Sequence, residues 1–290
     1  ENPVLLEQIT FPEPVISVAI EPKGQGDQDK MLQALEKLVA EDPTFRMAFD
    51  DETGQTILSG MGELHLEVIT TRLTEDFNVN VRIGRPQVVY RETVDAVATA
   101  EGMIERELAG VMQHGHVILK VEPLPNGAGL EFAVEASDEE VPGQFVHEIE
   151  ASARRSSESG VVMGYPVVDM RVTLAGGSYK ENVSTALAYS IAASMALQGA
   201  LSKAKPVLLE PIMAVEVVAP EEFVGGVIGD LNARHGKMKK IVDRMSYKVL
   251  AAEVPLSRMF GYSTELRSIT QGRATYSMQF TRYDRAPERS

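Results

Sequence analysis

An α+β fold built from a repeated small module is what this sequence predicts, and three observations predict it. Residues 15–85 and 212–283 each read strand–helix–strand–strand–helix–strand. Between them, 86–205 alternates in long stretches and carries two helical patterns. Neither repeated module holds a nucleophile, a metal cluster or a phosphate loop, and a duplicated module without such chemistry points to the binding of something large. A chain of 290 residues divides into two or three domains, here placed at 1–85, 86–205 and 206–290.

In the first module, Val15 to Ile20 is an apolar run between Pro14 and Pro22, which predicts a strand. Gly24 and Gly26 mark a loop, and Asp27 is placed to cap the next helix. Met31, Leu32, Leu35, Leu38 and Val39 share one face of that helix. Phe45 to Phe49 and Gln55 to Ser59 form a hairpin about a turn at Asp51-Glu52-Thr53-Gly54. Glu63 to Asp76 is helical, with Leu64, Val68, Ile69 and Leu73 assigned to its buried side, and Val79 to Ile83 closes the module.

In the middle, Ala96 to Glu107, His116 to Val121 and Gly129 to Glu135 predict an antiparallel sheet. Gly143 to Ser159 is a helix burying Phe145, Ile149 and Ala153. Pro166 to Leu174 is a strand with Val168, Met170 and Val172 on one face. Ser184 to Ala204 is a long Ala- and Leu-rich helix capped by Ser184 or Thr185.

The last module opens with a strand over Ile212 to Val218, and Pro220 and Glu221 start a helix. Gly225, Gly226 and Gly229 are expected to interrupt it. Lys237 to Val242 and Tyr247 to Glu253 form a hairpin, Glu265 to Ile269 lies on a second helix, and Ala274 to Phe280 closes the sheet. The tail from Arg285 is expected to fray.

Composition narrows the function. The chain has no Cys, which excludes disulfides and thiolate metal sites and is compatible with the cytosol. No apolar run reaches the length of a membrane helix. The opening Glu1-Asn2-Pro3 has neither an initiator Met nor a signal-peptide pattern, as expected of a piece of a longer protein. Net charge is −14, against a general nucleic-acid binder. Its distribution is uneven. Residues 1–85 hold 7 basic and 16 acidic side chains (−9), 86–205 hold 9 and 16 (−7), and 206–290 hold 12 and 10 (+2). The last third gathers Arg234, His235, Lys237, Lys239, Lys240, Arg244 and Lys248, which are either an electrostatic footprint or a solvated hairpin.

Four other motifs carry candidate chemistry. Glu63 and Glu67 lie four apart on a helix with His65 between them, but His65 points away from Glu63, so helix-start structure is favoured over a metal or acid–base site. Gly225-Gly226-Val227-Ile228-Gly229 lacks the spacing of a phosphate loop; its functional version is close approach by a backbone such as RNA. His114 and His116 share one side of a strand, too few ligands for a metal. Gly176 to Asn182 is a loop that presents Tyr179 and Lys180, suited to stacking and charge on RNA.

Several stretches together resemble one family. They are Ser59 to Glu67, Gly84 to Thr93, Gly164 to Met170, Lys203 to Met213, Val227 to Leu231, Glu253 to Tyr262, Leu266 to Ser268 and Gly272 to Ala274. In this order they are similar to the C-terminal half (domains III to V) of elongation factor G, along almost the whole chain. The resemblance implies two ferredoxin-like modules flanking a ribosomal-protein-S5-like domain with a left-handed βαβ crossover, against the usual hand. It implies a monomeric cytoplasmic factor whose GTPase, with GTP and Mg, lies in an N-terminal part absent here; this stretch itself would hold no cofactor, metal or catalytic residue. Glu63 and Glu67 would face that GTPase domain. Partners would be the ribosome, through rRNA and ribosomal proteins, and tRNA and mRNA at the decoding region. His114, His116, Tyr179 and Lys180 would form the tip there, and Gly225, Gly226, Lys237, Lys239 and Lys240 would meet large-subunit RNA. Two departures stand out. The first tip loop, Glu107 to His116, is shorter than usual and has no Lys, and Lys180 stands where the family often has His. The short first loop also resembles a second, paralogous class of these factors, some of which serve in ribosome recycling; a recycling or ribosome-protection role is the alternative to translocation. A stand-alone enzyme using Glu63, His65 and Glu67 is the third possibility.

Overall fold

The computed structural model describes residues 14–24, 27–50, 55–84, 87–108, 111–244 and 246–286. The expected turn at 51–54 and Gly26 lie outside them. The chain divides into two compact units, 1–89 with 211–281 and 90–210 with 282–290.

In the first unit, β1 (Ile16–Pro22), α1 (Gln28–Glu41), β2 (Arg46–Asp50), β3 (Gln55–Gly60), α2 (Glu63–Glu75) and β4 (Val81–Ile83) form a sheet in the order β2-β3-β1-β4. A short β5 (Gln87–Val88) also pairs with β1. All these pairings are antiparallel, as in a ferredoxin-like module. Period-2 alternation places Ile16, Val18 and Ile20 on the inner face of β1. Met31, Ala34, Leu35 and Leu38 of α1 and Leu66, Ile69, Thr70 and Leu73 of α2 are buried. Each fully buried leucine contributes about 1.5–3 kcal/mol.

Two expectations fail here. Leu64 and Val68 are 68% and 50% exposed, because Leu66, Ile69 and Leu73 supply the stripe that is buried. Asp27 occupies the N-cap of α1, but its side chain makes no capping hydrogen bond.

In the second unit, β6 (Arg91–Val94) pairs with residues 206–209. Then β7 (Ala98–Leu108), β8 (Val111–Pro123), β9 (Leu130–Val134), α3 (Gly143–Ser157), β10 (Met170–Ser178) and α4 (Ala186–Lys203) follow. The sheet order is β7-β8-β10-β9. The β7–β8 and β8–β10 pairs are antiparallel, but β9 runs parallel to β10, so the sheet is mixed rather than antiparallel. This parallel pair, joined through α3, is the βαβ unit to which the resemblance assigns a left-handed crossover. β10 starts at Met170 and not at Pro166 because Asp169 takes φ 56°. The Asp169 carboxylate accepts the N–H groups of Gly127 and Gly129 at 3.0 and 2.9 Å.

α4 is capped by Thr185, whose hydroxyl accepts from Ala188 N–H. Its Ala- and Leu-rich face is buried against the sheet, where Gly102 and Gly115 let it approach. On its flank, α3 is tied to it by Ser152 to Ser190 O (2.6 Å) and Ser156 to Ser194 (2.9 Å). No helix among the described residues is long and apolar enough to cross a membrane.

The second ferredoxin-like module comprises β11 (Pro206–Pro220), α5 (Val224–Ala233), β12 (Lys237–Arg244), β13 (Tyr247–Pro255), α6 (Tyr262–Ile269) and β14 (Thr275–Arg285). Its order, β12-β13-β11-β14, repeats that of the first. The glycines do not interrupt α5: burial of Val227 and Leu231 carries the helix through them. Of the tail expected to fray, the Arg285 guanidinium pairs with Asp95 at 2.6 Å, and residues 287–290 lie outside the described residues.

Candidate nucleic-acid interface

The β7–β8 hairpin and the β10–α4 loop meet at one end of the middle domain. On an antiparallel pair, Glu105 faces His114 across the ladder. Ser178 faces His116 on the other side. The Ser178 hydroxyl lies 3.1 Å from His114 Nε2 and 3.0 Å from His116 Nδ1. Glu105 is 3.7 Å from His114 Nδ1, and Glu101 is 3.7 Å from His116 Nε2. The parity of the two histidines thus brings them to one hydroxyl. His114 is 2% exposed, and its N–H donates to Val183 O at 3.0 Å.

Lys180 is exposed, and its Nζ pairs with Glu105 at 2.8 Å. That bond holds the Glu105 carboxyl below its usual range. Tyr179 is partly exposed and packs on Phe145, centroids 6.2 Å apart. Glu101 and Glu105 carried no sequence motif, and Ser178 lay in the Gly176–Asn182 loop, which was read for Tyr179 and Lys180 alone. The even spacing of the two glutamates on an alternating strand was the available signal.

Burial, and then the Lys180 ammonium, pull the His114 imidazole below its ordinary range, with Glu105 opposing. A folded value below the unfolded one means the unfolded chain binds the proton first. His114 therefore contributes stability above about pH 6.5 that is lost as pH falls through the folded value. From pH 7.5 to 5, wild type is expected to lose stability relative to His114→Gln. Urea midpoints across that range check this; parallel curves would contradict it.

In the last module the basic residues lie about the edge strand β12. Lys239 pairs with Glu253 at 3.0 Å, Arg234 with Asp230 at 2.8 Å, and Lys248 with Glu221 and Asp243 at 3.1 and 3.2 Å. The bond to Glu221, and then that to Asp243, hold the Lys248 ammonium above its ordinary range. Lys237, Lys240 and Arg244 are exposed without an ion pair among the described residues. A register shift between Met238 and Lys240 bends the strand. Lysines and a bulge also keep an edge strand from pairing with another chain. On α5, Gly225 and Gly229 look onto open space, whereas a Cβ at Gly226 would stand 2.9 Å from Ile269 Cγ2. Gly225 is the open face and Gly226 the helix contact.

Glu63 and Glu67 are exposed on α2. Burial first, and then the Glu63 charge, push the Tyr276 phenol upward, with Glu67 adding to it. His65 turns elsewhere: its Nδ1 accepts the Met61 N–H at 3.1 Å, and its Nε2 lies 3.1 Å from Asp42. These three residues build no shared pocket. Among the described residues no group of three or more His, Cys, Asp or Glu is placed to hold a metal.

Sequence reasoning passed over Glu92. It is 1% exposed, and its carboxylate accepts the N–H groups of Val162 (2.9 Å), Met163 (2.8 Å) and Tyr165 (3.2 Å).

Comparison with known proteins gives three family matches in chain order. Residues 11–85 match elongation factor G domain III, 86–205 match elongation factor G domain IV, and 207–290 match the elongation factor G C-terminus. A crystal structure of a Thermus thermophilus protein is 36% identical with a TM-score of 0.75. The alignment covers 97% of this chain and 42% of that one.

Proposed function

Because this chain belongs to the elongation factor G family, from domain III through domain IV to the C-terminus, we propose that it is the ribosome-binding part of a translational GTPase acting in tRNA–mRNA translocation. Its work is mechanical. The middle-domain tip, with His114, His116, Tyr179 and Lys180, enters the decoding region beside tRNA and mRNA. The last module meets large-subunit RNA through Lys237, Lys239, Lys240 and the Gly225 face. Glu63 and Glu67 meet the GTPase domain, and the factor works as a cytoplasmic monomer.

GTP and Mg belong to that other domain. The residues present do not fit the nucleotide: Gly225 and Gly226 lie inside a helix preceded by Glu221 and Glu222, whose charges repel phosphate. The observation that supports the reading best is the run of three family matches in order along the chain. A recycling or ribosome-protection role is the second reading, favoured by the short first tip loop, Glu107 to His116.

Replacing Lys237, Lys239 and Lys240 by Gln tests RNA binding by this strand. Removing one lysine–phosphate pair flattens the salt slope by about 0.9. Ribosome affinity of the full-length factor is expected to fall about tenfold or more at low salt, with the melting temperature nearly unchanged. Unchanged affinity across the titration, with new self-association, would show that the lysines only guard the strand edge.

A further inference from the structure

The second unit is entered along β6 and left along β11, and residues 282–286 touch both strands. The Arg91 guanidinium of β6 lies over the Tyr283 ring, 4.7 Å from its centre. Asn126, in the turn after β8, donates its side-chain amide to Tyr283 O. Arg285 pairs with Asp95, just past β6, at 2.6 Å across 190 residues of sequence. Ala286 N–H bonds Leu208 O in β11 at 3.0 Å. Leu208 itself stands opposite Glu92 in the β6–β11 ladder. One short segment thus ties entry strand, exit strand and turn together.

The root it covers has a strained point. Lys205, between α4 and β11, takes φ 52°, a left-handed conformation that costs energy in any residue with a Cβ. Asp95 N–H holds this turn through Ala204 O and Lys205 O at 3.1 and 3.2 Å, and Ala96 N–H adds a bond to Ala204 O at 2.9 Å. Asp95 therefore grips the strained turn with its backbone and residues 282–286 with its side chain. Residues 275–281 of β14 belong to the first unit and 282–285 to the second. The family match to domain IV, 86–205, contains Arg91, Asp95 and Asn126 but not the segment that ties them.

We propose that residues 282–286 are a releasable strap that locks the exit strand of the middle unit against its entry strand. Docked, the strap closes the root over the Lys205 turn. Released, it lets 205–209 loosen while the rest of the unit stays folded. The segment suits release because Tyr283 is its one buried residue, and the Arg285 side chain is 66% exposed. Tyr283 stands outside the apolar core of the unit, which runs from Val94 to Ala204. A segment with a single anchor opens locally at less cost than one buried along its length. β6 keeps its place without the strap, through Val94 in that core and the bonds of Glu92 to the 162–168 segment.

Amide exchange read by NMR on the 290-residue protein tests this without any ribosome. Tyr283→Ala removes the anchor and is expected to speed exchange of the Asp95 and Ala96 amides and of residues 207–209 together, about tenfold or more. The amides of 98–123, and those of Val162 and Met163 on Glu92, are expected to stay at wild-type rates. Tyr283→Phe keeps a ring under Arg91 and is expected to lose less protection than Tyr283→Ala. Arg285→Gln removes only an exposed pair and is expected to change the same amides about fivefold or less. Unchanged exchange at Asp95, Ala96 and 207–209 in Tyr283→Ala would overturn the proposal. Equal loss of protection across 98–123, or failure of the variant to fold, would overturn it too, because 282–286 would then be core and not a strap.

Discussion

Gly115→Ala is expected to lower the stability of the middle unit by about 3 kcal/mol or more. A Cβ at Gly115 would lie 2.3 Å from Ala188 C and 2.4 Å from Ala188 O, both in the α4 backbone. Gly102 has the same relation to Ala192 O at 2.0 Å. Neither obstacle is the end of a flexible side chain, so the whole helix must lift. Lifting it opens the contact in which Ala188, Ala192, Ala193, Ala196 and Leu197 are fully buried. It also displaces Thr185 and with it the Lys180 loop. Gly225→Ala is the control. Open space surrounds that position, and alanine in a helix gains about 1 kcal/mol over glycine. Urea midpoints should therefore move in opposite directions for the same chemical change. An unmoved midpoint for Gly115→Ala would mean that the helix is not seated this closely.

Glu92→Ala is the second large effect, expected at roughly 3–5 kcal/mol. The carboxylate is the acceptor for three backbone N–H groups of the 162–165 segment. Removing it leaves three part-buried donors without their acceptor, in a loop that closes directly on the carboxylate: a Cβ on Gly160 would meet Glu92 Oε2 at 2.1 Å. Its backbone is committed as well, with Glu92 N–H to Pro166 O and Val168 N–H to Glu92 O, each 2.9 Å. Glu92→Gln keeps the shape but sets an amide NH2 among donors, so it should rescue only part of the loss. A midpoint within error of wild type for Glu92→Ala would contradict this account of the loop.

Much of this architecture is legible in the sequence because it rests on short-range periodicity. The strand–helix order of both ferredoxin-like modules, the β12–β13 hairpin and the shared side of His114 and His116 follow from alternation alone. The rest depends on partners distant in sequence. α2 carries two competing apolar stripes, and only the sheet decides that Leu66 and Leu73 go in while Leu64 and Val68 stay out. β9 alternates like its neighbours, but its pairing with β10 is set by the α3 connection between them. The glycines of α5 read as breakers because propensity is local, whereas burial of Val227 and Leu231 is not. Lys180 read as an isolated cation on a loop; its partner Glu105 lies 75 residues earlier. Glu92 lay inside a recognised stretch, yet nothing local says that a glutamate is buried there.

The central claim is that separate parts of this chain meet two different RNA regions of one ribosome. These 290 residues have no Cys, so in a full-length factor with any cysteines outside them replaced, single cysteines placed here can carry a tethered iron chelate. Glu181→Cys marks the tip, and Gly229→Cys marks an open position on α5. With the full-length factor on the ribosome, cleavage is predicted in the small-subunit decoding RNA from position 181 and in large-subunit RNA from position 229. Absence of rRNA cleavage above the cysteine-free control at both positions, or cleavage of the same region from both, would contradict the claim.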